Sequence, residues 1–395
     1  MNRILIFSLA YYPLVGGDGV AIREITKRIS PEDIEFHMVT LRFQRALLPY
    51  EKIGNVHVYR IGPIGSGRIA KFIFQFAAAL KGSALNKKHR YGAVWSMMAH
   101  SAGVPGALFK FFHPSVPFIL TLQEGDPPEH VERVMRPLWL LFARAFIVAD
   151  IVQVISSFLG AWARRRGFKG VLEVIPNGVD IENFSNTSNG EAKALADSLG
   201  KKEGEVFLIT TSRLVHKNAV DDVLRALALL PSHIHFLILG IGSEEEKLKS
   251  LARELGVDSR VRFLGFVPHE EMPKYLHASD IFIRPSRSEG MGNSFIEAMA
   301  AGLPVIATQE GGIADFLFDA KKNPGKPSTG WAVDTDSPQQ IAEAVKEILA
   351  DQEKTADVVA RARSVAVLHY NWDSIAKAMR EKVFGPVLEK SLKNT

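Results

Sequence analysis

The sequence predicts an α/β protein built from two doubly wound domains of parallel sheet. Short apolar runs alternate with helical patterns along both halves of the 395-residue chain. This alternation is typical of parallel strands that are covered by helices on both faces. A chain of this length favours two or three domains over one. Asn, Ser, Thr, Gly and charged residues concentrate at 183–204, so we expect a linker there, between a domain over 1–184 and a domain over 185–365.

Each predicted strand is a short, largely apolar run, as expected for strands that are buried on both faces. In the first half these runs are residues 4–9, 36–41, 56–61, 93–96, 118–122, 151–155 and 172–175. In the second half they are residues 206–211, 235–239, 261–264, 281–283 and 305–307. Helical periodicity predicts helices between them, for example at 222–230, 244–255 and 341–349.

Composition excludes several classes of site. Hydrophobic residues make up 47% of the chain, enough for sizeable cores, and there are no cysteines. The chain therefore has no disulfide, thiolate nucleophile or cysteine-based zinc site, which fits a cytoplasmic protein. Residues 1–10 imitate a signal peptide but lack a small-x-small cleavage motif, so we predict a buried first strand. A membrane-spanning helix is not expected, because no uninterrupted run of 18 apolar residues occurs.

The positive charge is concentrated in the first half. Residues 1–184 hold 22 Lys and Arg against 14 Asp and Glu, and no acidic residue lies between Glu51 and Glu124. Within that stretch, apolar residues recur at helical spacing among basic ones, namely Ile69, Phe72, Ile73, Phe76 and Leu80. Such a helix is typical of peripheral attachment to an anionic membrane surface. The alternative is an ordinary core-facing helix with a solvated basic face.

Residues 286–312 contain the most informative pattern in the chain. A predicted apolar strand runs into a glycine-rich loop that opens a short helix, which ends at Gly302. Small residues followed by a helix N-terminus suit an anion such as phosphate. The carboxylates of Glu289 and Glu297 bracket the loop and suit sugar hydroxyls. The pairing indicates a nucleotide-sugar ligand, whereas G-x-G-x-x-G and P-loop motifs, which would indicate dinucleotide or NTPase sites, are absent from the sequence.

Both carboxylates also have readings that need no ligand. Ser294 and Glu297 form the S-x-x-E pattern of a capping box, which would tie down a helix start by itself. This structural role is compatible with ligand binding. For Glu289 the alternative is a solvated loop acid.

The spacing of Glu289 and Glu297, within E-G-M-G-N-S-F-I-E-A-M-A-A-G-L-P-V-I-A-T, resembles the signature of retaining GT-B glycosyltransferases of family 4. The resemblance implies two Rossmann-like domains that face each other across a cleft, with a C-terminal helix at about 366–395 that packs back on the first domain. It implies that Glu289 holds a donor-sugar hydroxyl and Glu297 the ribose hydroxyls. Close backbone contacts would come from the residues between them: Gly290, Met291, Gly292, Asn293 and Ser294.

Other segments carry the resemblance further. Arg213 and Lys217 match the family's R-x-x-x-K element, which implies contacts to the donor phosphates. Gly16 and Gly17 match a turn that faces the donor diphosphate. The segment 265–269 matches one beside the nucleotide base.

The first half matches the family less well. Within T-L-Q-E-G-D, Asp126 keeps a family position, but Gln123 stands where many relatives have histidine. That substitution puts an imidazole role there in doubt. His100 is a candidate to supply the missing imidazole. The alternative interpretation is that His100 is an ordinary core or loop histidine.

The resemblance implies transfer of a sugar, with retention of anomeric configuration, from a nucleotide diphosphate donor to a glycan, lipid-linked or other cell-envelope acceptor. Arg and Lys would neutralise the leaving group, so no metal or cofactor is expected. UDP is favoured over GDP by family frequency alone. The alternatives are a sugar-nucleotide epimerase of the same fold, a phosphorylase with a pyridoxal lysine, and a non-catalytic membrane or nucleic-acid binder. Nucleic acid is not an expected partner, because no recognisable binding motif accompanies the basic charge.

Overall fold

The computed structural model describes residues 2–14 and 16–393, which form two compact units. The N-terminal unit comprises the described residues of Met1–Asn177 and Trp372–Thr395. The C-terminal unit is Gly178–Asn371. The first unit thus ends at Asn177, ahead of the segment 183–204 in which we expected the linker.

The N-terminal unit is built on a sheet with the order β3-β4-β2-β1-β5-β6-β7-β8. Its strands are β1 Asn2–Phe7, β2 Ile34–Leu41, β3 Tyr50–Ile53, β4 Val56–Ile61, β5 Ala93–Met97, β6 Phe118–Leu122, β7 Ile151–Val154 and β8 Val171–Val174. Its first helices are α1 Gly17–Thr26, α2 Arg68–His89, α3 Val104–Phe112, α4 Pro128–Val134, α5 Trp139–Val148 and α6 Ser157–Arg165. Ile4, Leu5 and Phe7 are fully buried, which confirms the prediction of a buried first strand.

One strand of this sheet escaped prediction. β3 pairs antiparallel with β4, whereas the other pairs in the sheet are parallel. Tyr50 and Lys52 point to the exposed side, and the strand lies at the edge of the sheet. A four-residue edge strand carries little apolar sequence, because it is not buried on both faces.

The C-terminal unit contains a second parallel sheet with the order β11-β10-β9-β12-β13-β14. Its strands are β9 Val206–Thr211, β10 Ile234–Leu239, β11 Val261–Gly265, β12 Ile281–Arg284, β13 Val305–Ala307 and β14 Trp331–Ala332. Its helices are α7 Ile181–Ser185, α8 Asn189–Ser198, α9 Val220–Ala228, α10 Glu245–Glu254, α11 Met272–His277, α12 Asn293–Ala300, α13 Pro338–Ala350 and α14 Gln352–His369. β14 was not predicted, since two residues give no periodicity.

The prediction of a loose linker at 183–204 was wrong, because α8 lies within that segment. Ser188 caps the helix, and its hydroxyl accepts a hydrogen bond from the Glu191 amide at 3.2 Å and donates to the Glu191 carboxylate at 3.1 Å. Ser188 is thus the N-cap of this helix, with its hydroxyl bonded to the N3 amide. The polar residues that looked like a linker are therefore the start of a helix.

The chain returns to the N-terminal unit at its end. α15 Trp372–Ala378, a π-helical stretch Met379–Phe384 and α16 Gly385–Lys393 belong to that unit, whereas 366–371 belong to the C-terminal unit. Phe384 is fully buried, with its ring 5.1 Å from Trp95 and 5.8 Å from Phe36. Arg380 forms a bidentate ion pair with Asp33 at 2.5 and 2.8 Å. The core of the N-terminal unit is thus completed by the last residues of the sequence.

Among the described residues, no helix combines the length and apolar character that crossing a bilayer would need.

Phe384→Ala should destabilise the N-terminal unit by about 3–5 kcal/mol, because it removes a buried aromatic ring from a packed core. Urea unfolding of the full chain, followed by tryptophan fluorescence, measures this change. The matched control is Leu368→Ala on α14, where the side chain is 67% exposed, and we expect a change within about 0.5 kcal/mol. Equal effects of the two substitutions would contradict the assignment of the C-terminal segment to the core.

Candidate functional site

The glycine-rich loop joins the carboxyl end of β12 to the start of α12. Gly292 precedes the helix with φ of 86°, and a Cβ there would lie 2.5 Å from the Phe295 ring. The position therefore requires glycine on grounds of both backbone conformation and space. Asn293 and Ser294 already belong to the helix. Gly290 and Met291 are buried in the loop ahead of it.

The capping-box prediction for Ser294 and Glu297 was wrong. Ser294 lies inside the helix, and Gly292 occupies the cap position without a side-chain hydrogen bond. The Ser294 hydroxyl instead accepts a hydrogen bond from Arg284 at 2.6 Å. Glu297 bonds to the ring of His269. Both side chains that the S-x-x-E spacing assigned to a capping box are therefore bonded to residues outside the helix.

Arg284, the last residue of β12, connects this loop to its neighbours through several hydrogen bonds. Its buried guanidinium donates to the Ser294 hydroxyl and to the Ser286 hydroxyl at 3.2 Å, and to the main-chain oxygen of Thr211 at 3.3 Å. It also forms an ion pair with Glu289. One planar cation thereby connects a strand end, the loop and the first turn of the helix.

Glu289 is only 9% exposed, so its alternative reading as a solvated loop acid was wrong. Arg284 donates to the Oε1 atom of this carboxylate. Within the described part of the chain Oε2 accepts no hydrogen bond, so its lone pairs can accept one from a hydroxyl. The Glu289 carbonyl accepts from the Gly312 amide at 3.1 Å. A Cβ at Gly311 would lie 1.9 Å from that carbonyl oxygen. The Gly-Gly turn after β13 therefore supports the loop through a backbone contact too close for any side chain.

Glu297 lies on α12 and is largely buried beside a histidine. The Nε2 atom of His269 and the Oε1 atom of Glu297 are 2.9 Å apart. This hydrogen bond raises the pKa of His269, although partial burial opposes the shift. The His269 ring packs edge-on against Phe184, with the ring centroids 5.4 Å apart. The segment 265–269 that resembled a base-binding element is therefore tied to the second carboxylate of the loop.

The turn after β9 carries the two predicted cations. Arg213 is exposed, and Lys217 lies in the short helical turn His216–Asn218 that follows. The Lys217 carbonyl accepts from the Arg287 amide at 2.7 Å, so this turn is bonded directly to the β12–α12 loop. The predicted cations and the predicted carboxylates are thus presented by two adjoining loops at the carboxyl edge of one sheet, where ligands of such sheets bind.

Arg287 is the residue that joins these two loops. Its guanidinium bonds to the carboxylates of Asp221 at 2.9 Å, Asp222 at 3.0 Å and Asp336 at 2.7 Å, and to the His216 carbonyl at 2.8 Å. Burial alone would lower the pKa of Arg287, but these carboxylates raise it instead. A permanently charged arginine bound on three sides holds a fixed geometry.

Sequence reasoning missed Arg284 and Arg287, and it did not pair His269, within the predicted segment 265–269, with Glu297. Arg284 could have been found, because a charged residue at the carboxyl end of an apolar strand run is unusual and sits at the ligand-binding edge. Arg287 and His269 act through partners 65 and 28 residues away in the sequence, respectively. Local sequence gives no indication of either contact.

The N-terminal unit presents the remaining predicted residues. Gly16 and Gly17 lie exposed at the start of α1, and Asp126 lies exposed after β6. A Cβ at Gly16 would lie 2.6 Å from the carboxylate of Asp18. Burial raises the pKa of Asp18. Gln123 is buried and donates to Asn177 at 3.0 Å, so it holds a structural bond within the unit.

His100 lines a cavity in the N-terminal unit. Its Nδ1 atom is 3.3 Å from the buried carboxylate of Glu124, and its Nε2 atom is 2.9 Å from the Ser101 hydroxyl. The cavity has a volume of about 550 Å³. Its lining is mainly apolar, with cations from α2 and α4: Leu9, Arg68, Lys71, Phe72, Gln75, His100, Ser101, Arg133, Val134, Met135, Pro137 and Leu138.

α2 turns its large apolar residues outward. Ile69 is 77% exposed and Leu80 66% exposed, whereas Phe74 and Ala78 face the core. The reading of this apolar stripe as a core-facing surface was therefore wrong. Small residues make up most of the buried face, and the bulky stripe remains on the surface beside the cavity.

Two family models match consecutive parts of the chain. "Glycosyltransferase Family 4" matches residues 15–183, and "Glycosyl transferases group 1" matches residues 191–365. The chain belongs to the group 1 glycosyltransferases of family 4. The membership of family 4 that the spacing of Glu289 and Glu297 predicted is confirmed.

Curated relatives of this group 1 chain include transferases with different substrates. The GDP-mannose-dependent alpha-(1-6)-phosphatidylinositol monomannoside mannosyltransferase of Mycobacterium tuberculosis is 31% identical over 248 residues, which cover 60% of this chain and 62% of that protein. The 2-deoxystreptamine glucosyltransferase of Streptomyces kanamyceticus is 28% identical over 67% of each chain. The matched region thus spans less than two thirds of the mycobacterial relative.

Solved structures confirm the GT-B fold of this group 1 chain. Sucrose-phosphate synthase from Thermosynechococcus elongatus has a TM-score of 0.83 at 19% identity, covering 98% of this chain and 100% of that one. Anabaena HepE, solved in complex with UDP and glucose, has a TM-score of 0.75 at 22% identity, with the same coverage. At these identities the similarity establishes the architecture of two Rossmann-like domains.

Glu297→Gln should lower the pKa of His269, because the variant loses the carboxylate that raises it. Imidazole NMR of the ligand-free protein over a pH series measures this change. The matched control is Glu270→Gln, which removes a weaker charge near the same ring and should shift the pKa less.

The His269 pair also has a defined effect on stability. The folded-state pKa of His269 lies above its unfolded value of 6.5. The pair therefore stabilises the fold below about pH 6.5, and this contribution is lost as the pH rises through the folded-state pKa. An unchanged His269 pKa in the Glu297→Gln variant would contradict the assigned hydrogen bond.

Proposed function

We propose that this chain transfers a sugar from a nucleoside diphosphate sugar to a polar or lipid-linked acceptor, with retention of anomeric configuration. The observation that carries the proposal is the pairing of Glu289 with Arg284 at the start of α12. This pair presents a carboxylate oxygen beside a helix N-terminus. Such a site accepts hydrogen bonds from sugar hydroxyls next to a place that favours phosphate. Family membership supports the same chemistry.

The donor binds to the C-terminal unit in this proposal. Arg213 and Lys217 neutralise the diphosphate, and the amides of Gly290 to Asn293 approach it closely. Glu289 accepts a hydrogen bond from a hydroxyl of the donor sugar. Glu297 accepts from the ribose through the oxygen that His269 does not occupy. For Gly16, Gly17 and Asp126 in the N-terminal unit, a role toward the donor remains a prediction from the resemblance.

Stabilisation of the leaving diphosphate is the main catalytic contribution. In a retaining transfer without an enzyme nucleophile, the acceptor attacks from the face that the diphosphate leaves. Negative charge then grows on the phosphate oxygens, and cations held in place beforehand lower the barrier without reorganising. Since Arg213 and Lys217 supply this charge, the proposed reaction requires no metal ion.

Two donor nucleotides, UDP and GDP, can be compared experimentally. The expectation of UDP rests on family frequency, and Anabaena HepE was solved with UDP and glucose. The mycobacterial relative is named for its use of GDP-mannose. We keep UDP as the proposed donor base and make GDP the competitor to be tested.

The acceptor has an apolar part in this proposal and binds the N-terminal unit. The supporting observations are the 550 Å³ cavity with its apolar lining and cations, and the exposed stripe on α2 beside it. A basic, apolar surface suits anionic lipid headgroups and acyl chains. The protein would then work as a peripheral enzyme on the cytoplasmic face of a membrane, on a lipid-linked or cell-envelope glycan.

Glu289→Ala should reduce transfer to background while nucleoside diphosphate still binds. Arg213→Ala should reduce kcat about 10²–10³-fold, the usual effect of removing one preorganised charge partner. The assay screens UDP- and GDP-sugars for donor consumption and follows the product by mass spectrometry, with UDP and GDP affinities measured by calorimetry. Matched controls are Arg253→Ala and Glu254→Ala, which alter exposed charges in the last turn of α10 on the same unit.

Unchanged turnover in Glu289→Ala would remove this residue from the mechanism. Release of an isomerised nucleotide or free sugar without any acceptor would favour the epimerase alternative. Failure of the folded protein to bind UDP, GDP or ADP would overturn the proposed function.

Ile69→Glu combined with Leu80→Glu should abolish cosedimentation with phosphatidylglycerol vesicles, because both exposed side chains are proposed to insert into the lipid surface. The matched control is Leu368→Glu, which alters a side chain of similar exposure on the other unit. Vesicle binding that survives the double substitution, or salt-sensitive binding to nucleic acid in place of vesicles, would contradict the membrane proposal.

A further inference from the structure

A cluster of histidines and one carboxylate lies at the amino end of the N-terminal sheet. Glu35 and His37 are two residues apart on β2 and therefore lie on the same face of the sheet. His57 on β4 is the register partner of His37. These positions are near the start of their strands. The cluster is therefore at the opposite edge of the sheet from Gly16, Gly17 and Asp126, which follow strand ends.

The ligand atoms of the three residues converge. The Oε1 atom of Glu35 is 3.3 Å from Nε2 of His57 and 3.6 Å from Nε2 of His37. All three ligand atoms lie within 4.8 Å of one another. Nitrogen and oxygen ligands about 2.0–2.1 Å from a tetrahedral zinc ion are separated by about 3.3 Å. The two distances from the Oε1 atom of Glu35 are close to this value.

Each of these residues is oriented by a bond to its other polar atom. The Tyr91 hydroxyl and Nδ1 of His37 are 2.8 Å apart, and the Tyr50 hydroxyl and Nδ1 of His57 are 2.9 Å apart. Arg3 donates to the Oε2 atom of Glu35 at 2.6 Å. Such outer contacts fix the ring orientation of metal-bound histidines and leave the coordinating atom free.

His37 gives an independent reason to expect a ligand. It is 2% exposed, and its buried Nε2 atom has no hydrogen-bond partner within the described residues. Buried polar atoms in proteins nearly always have a hydrogen-bond partner. An unpaired Nε2 atom of His37 beside a carboxylate and a second histidine therefore indicates a ligand at this position. The Nε2 atom of His89, whose ring lies 4.4 Å from that of His37, is buried and unpaired in the same way.

The cluster opens onto a cavity of about 410 Å³, which gives an ion a path to the site.

We propose that Glu35, His37 and His57 bind a divalent transition-metal ion, with zinc the best fit and water completing the coordination. Two imidazoles and one carboxylate are a common zinc ligand set, and magnesium or calcium would prefer oxygen ligands. The ion would link β2 to β4 and secure the edge of the sheet. The site is independent of the donor site and of the proposed function.

The test is zinc binding by the full-length chain without a histidine tag, after removal of metal with a chelator. Equilibrium dialysis with elemental analysis should give one zinc ion per chain. Cobalt should bind with the intense visible absorption of a tetrahedral site, and zinc should displace it. Zinc should also raise the Tm, because it binds the folded chain alone.

His57→Gln removes one ligand, and we expect a loss of stoichiometric zinc and of the cobalt spectrum. Tyr50→Phe keeps all three ligands and removes one orienting bond, so zinc affinity should fall about 10–100-fold. The matched control is His235→Gln. His235 on β10 lies 3.5 Å from the Glu205 carboxylate but has no third ligand among the described groups, so zinc binding should be unaffected.

The proposal is overturned if the folded wild-type chain binds no zinc at one equivalent. It is also overturned if His57→Gln, with circular dichroism unchanged, binds zinc as the wild type does. Because these readouts involve no sugar transfer, a negative result here leaves the proposed function untouched, and the reverse also holds.

Discussion

The buried ion pair between Arg284 and Glu289 is the constraint on which the candidate site depends. Breaking such a pair by removing one partner costs about 3–5 kcal/mol, because the remaining charge is left buried and uncompensated. The glycine-rich loop is therefore not free to relax away from α12. Gly292 and Gly311 remove the side chains that would prevent the close packing. A loop that carries mostly small residues thus acquires a single geometry from one arginine at the end of a strand.

The arginines near the donor site of the C-terminal unit differ in role: one is held in internal ion pairs, and another is exposed to a ligand. Arg287 is bound by Asp221, Asp222 and Asp336, and it joins the β9 turn to the β12 loop. Arg213, on the same turn, is exposed. An arginine whose donors are already satisfied adds little to an incoming phosphate, whereas an exposed one on a fixed turn can meet it directly. The first kind of residue positions the second.

The N-terminal unit uses the two ends of its parallel sheet differently. The carboxyl ends of the strands lead into the loops that carry Gly16, Gly17 and His100, as is usual for ligand sites of this architecture. The amino ends bring Glu35 and His37 beside His57 through strand register alone. The residues at the carboxyl ends and those at the amino ends of the strands are separated by the length of the strands. A ligand bound at one end therefore does not contact the residues at the other.

The sequence by itself determined the two-sheet architecture and the region of the donor site. Strands 56–61, 118–122, 206–211 and 305–307 were predicted with the bounds that the structure has. The last three are almost wholly buried and largely apolar, whereas 56–61 alternates buried and partly exposed residues. The edge strand β3 and the capped helix α8 were missed, since neither carries a largely apolar run.

Only the tertiary structure decided the partners of the charged residues. The S-x-x-E spacing occurs at both Ser188–Glu191 and Ser294–Glu297, yet only at the first does the serine cap a helix. At the second, Arg284 and His269 compete for the same oxygens and bind them instead. Apolar periodicity reports burial locally, whereas the partner of a charge depends on which distant residues folding brings within about 3 Å, the range of a hydrogen bond.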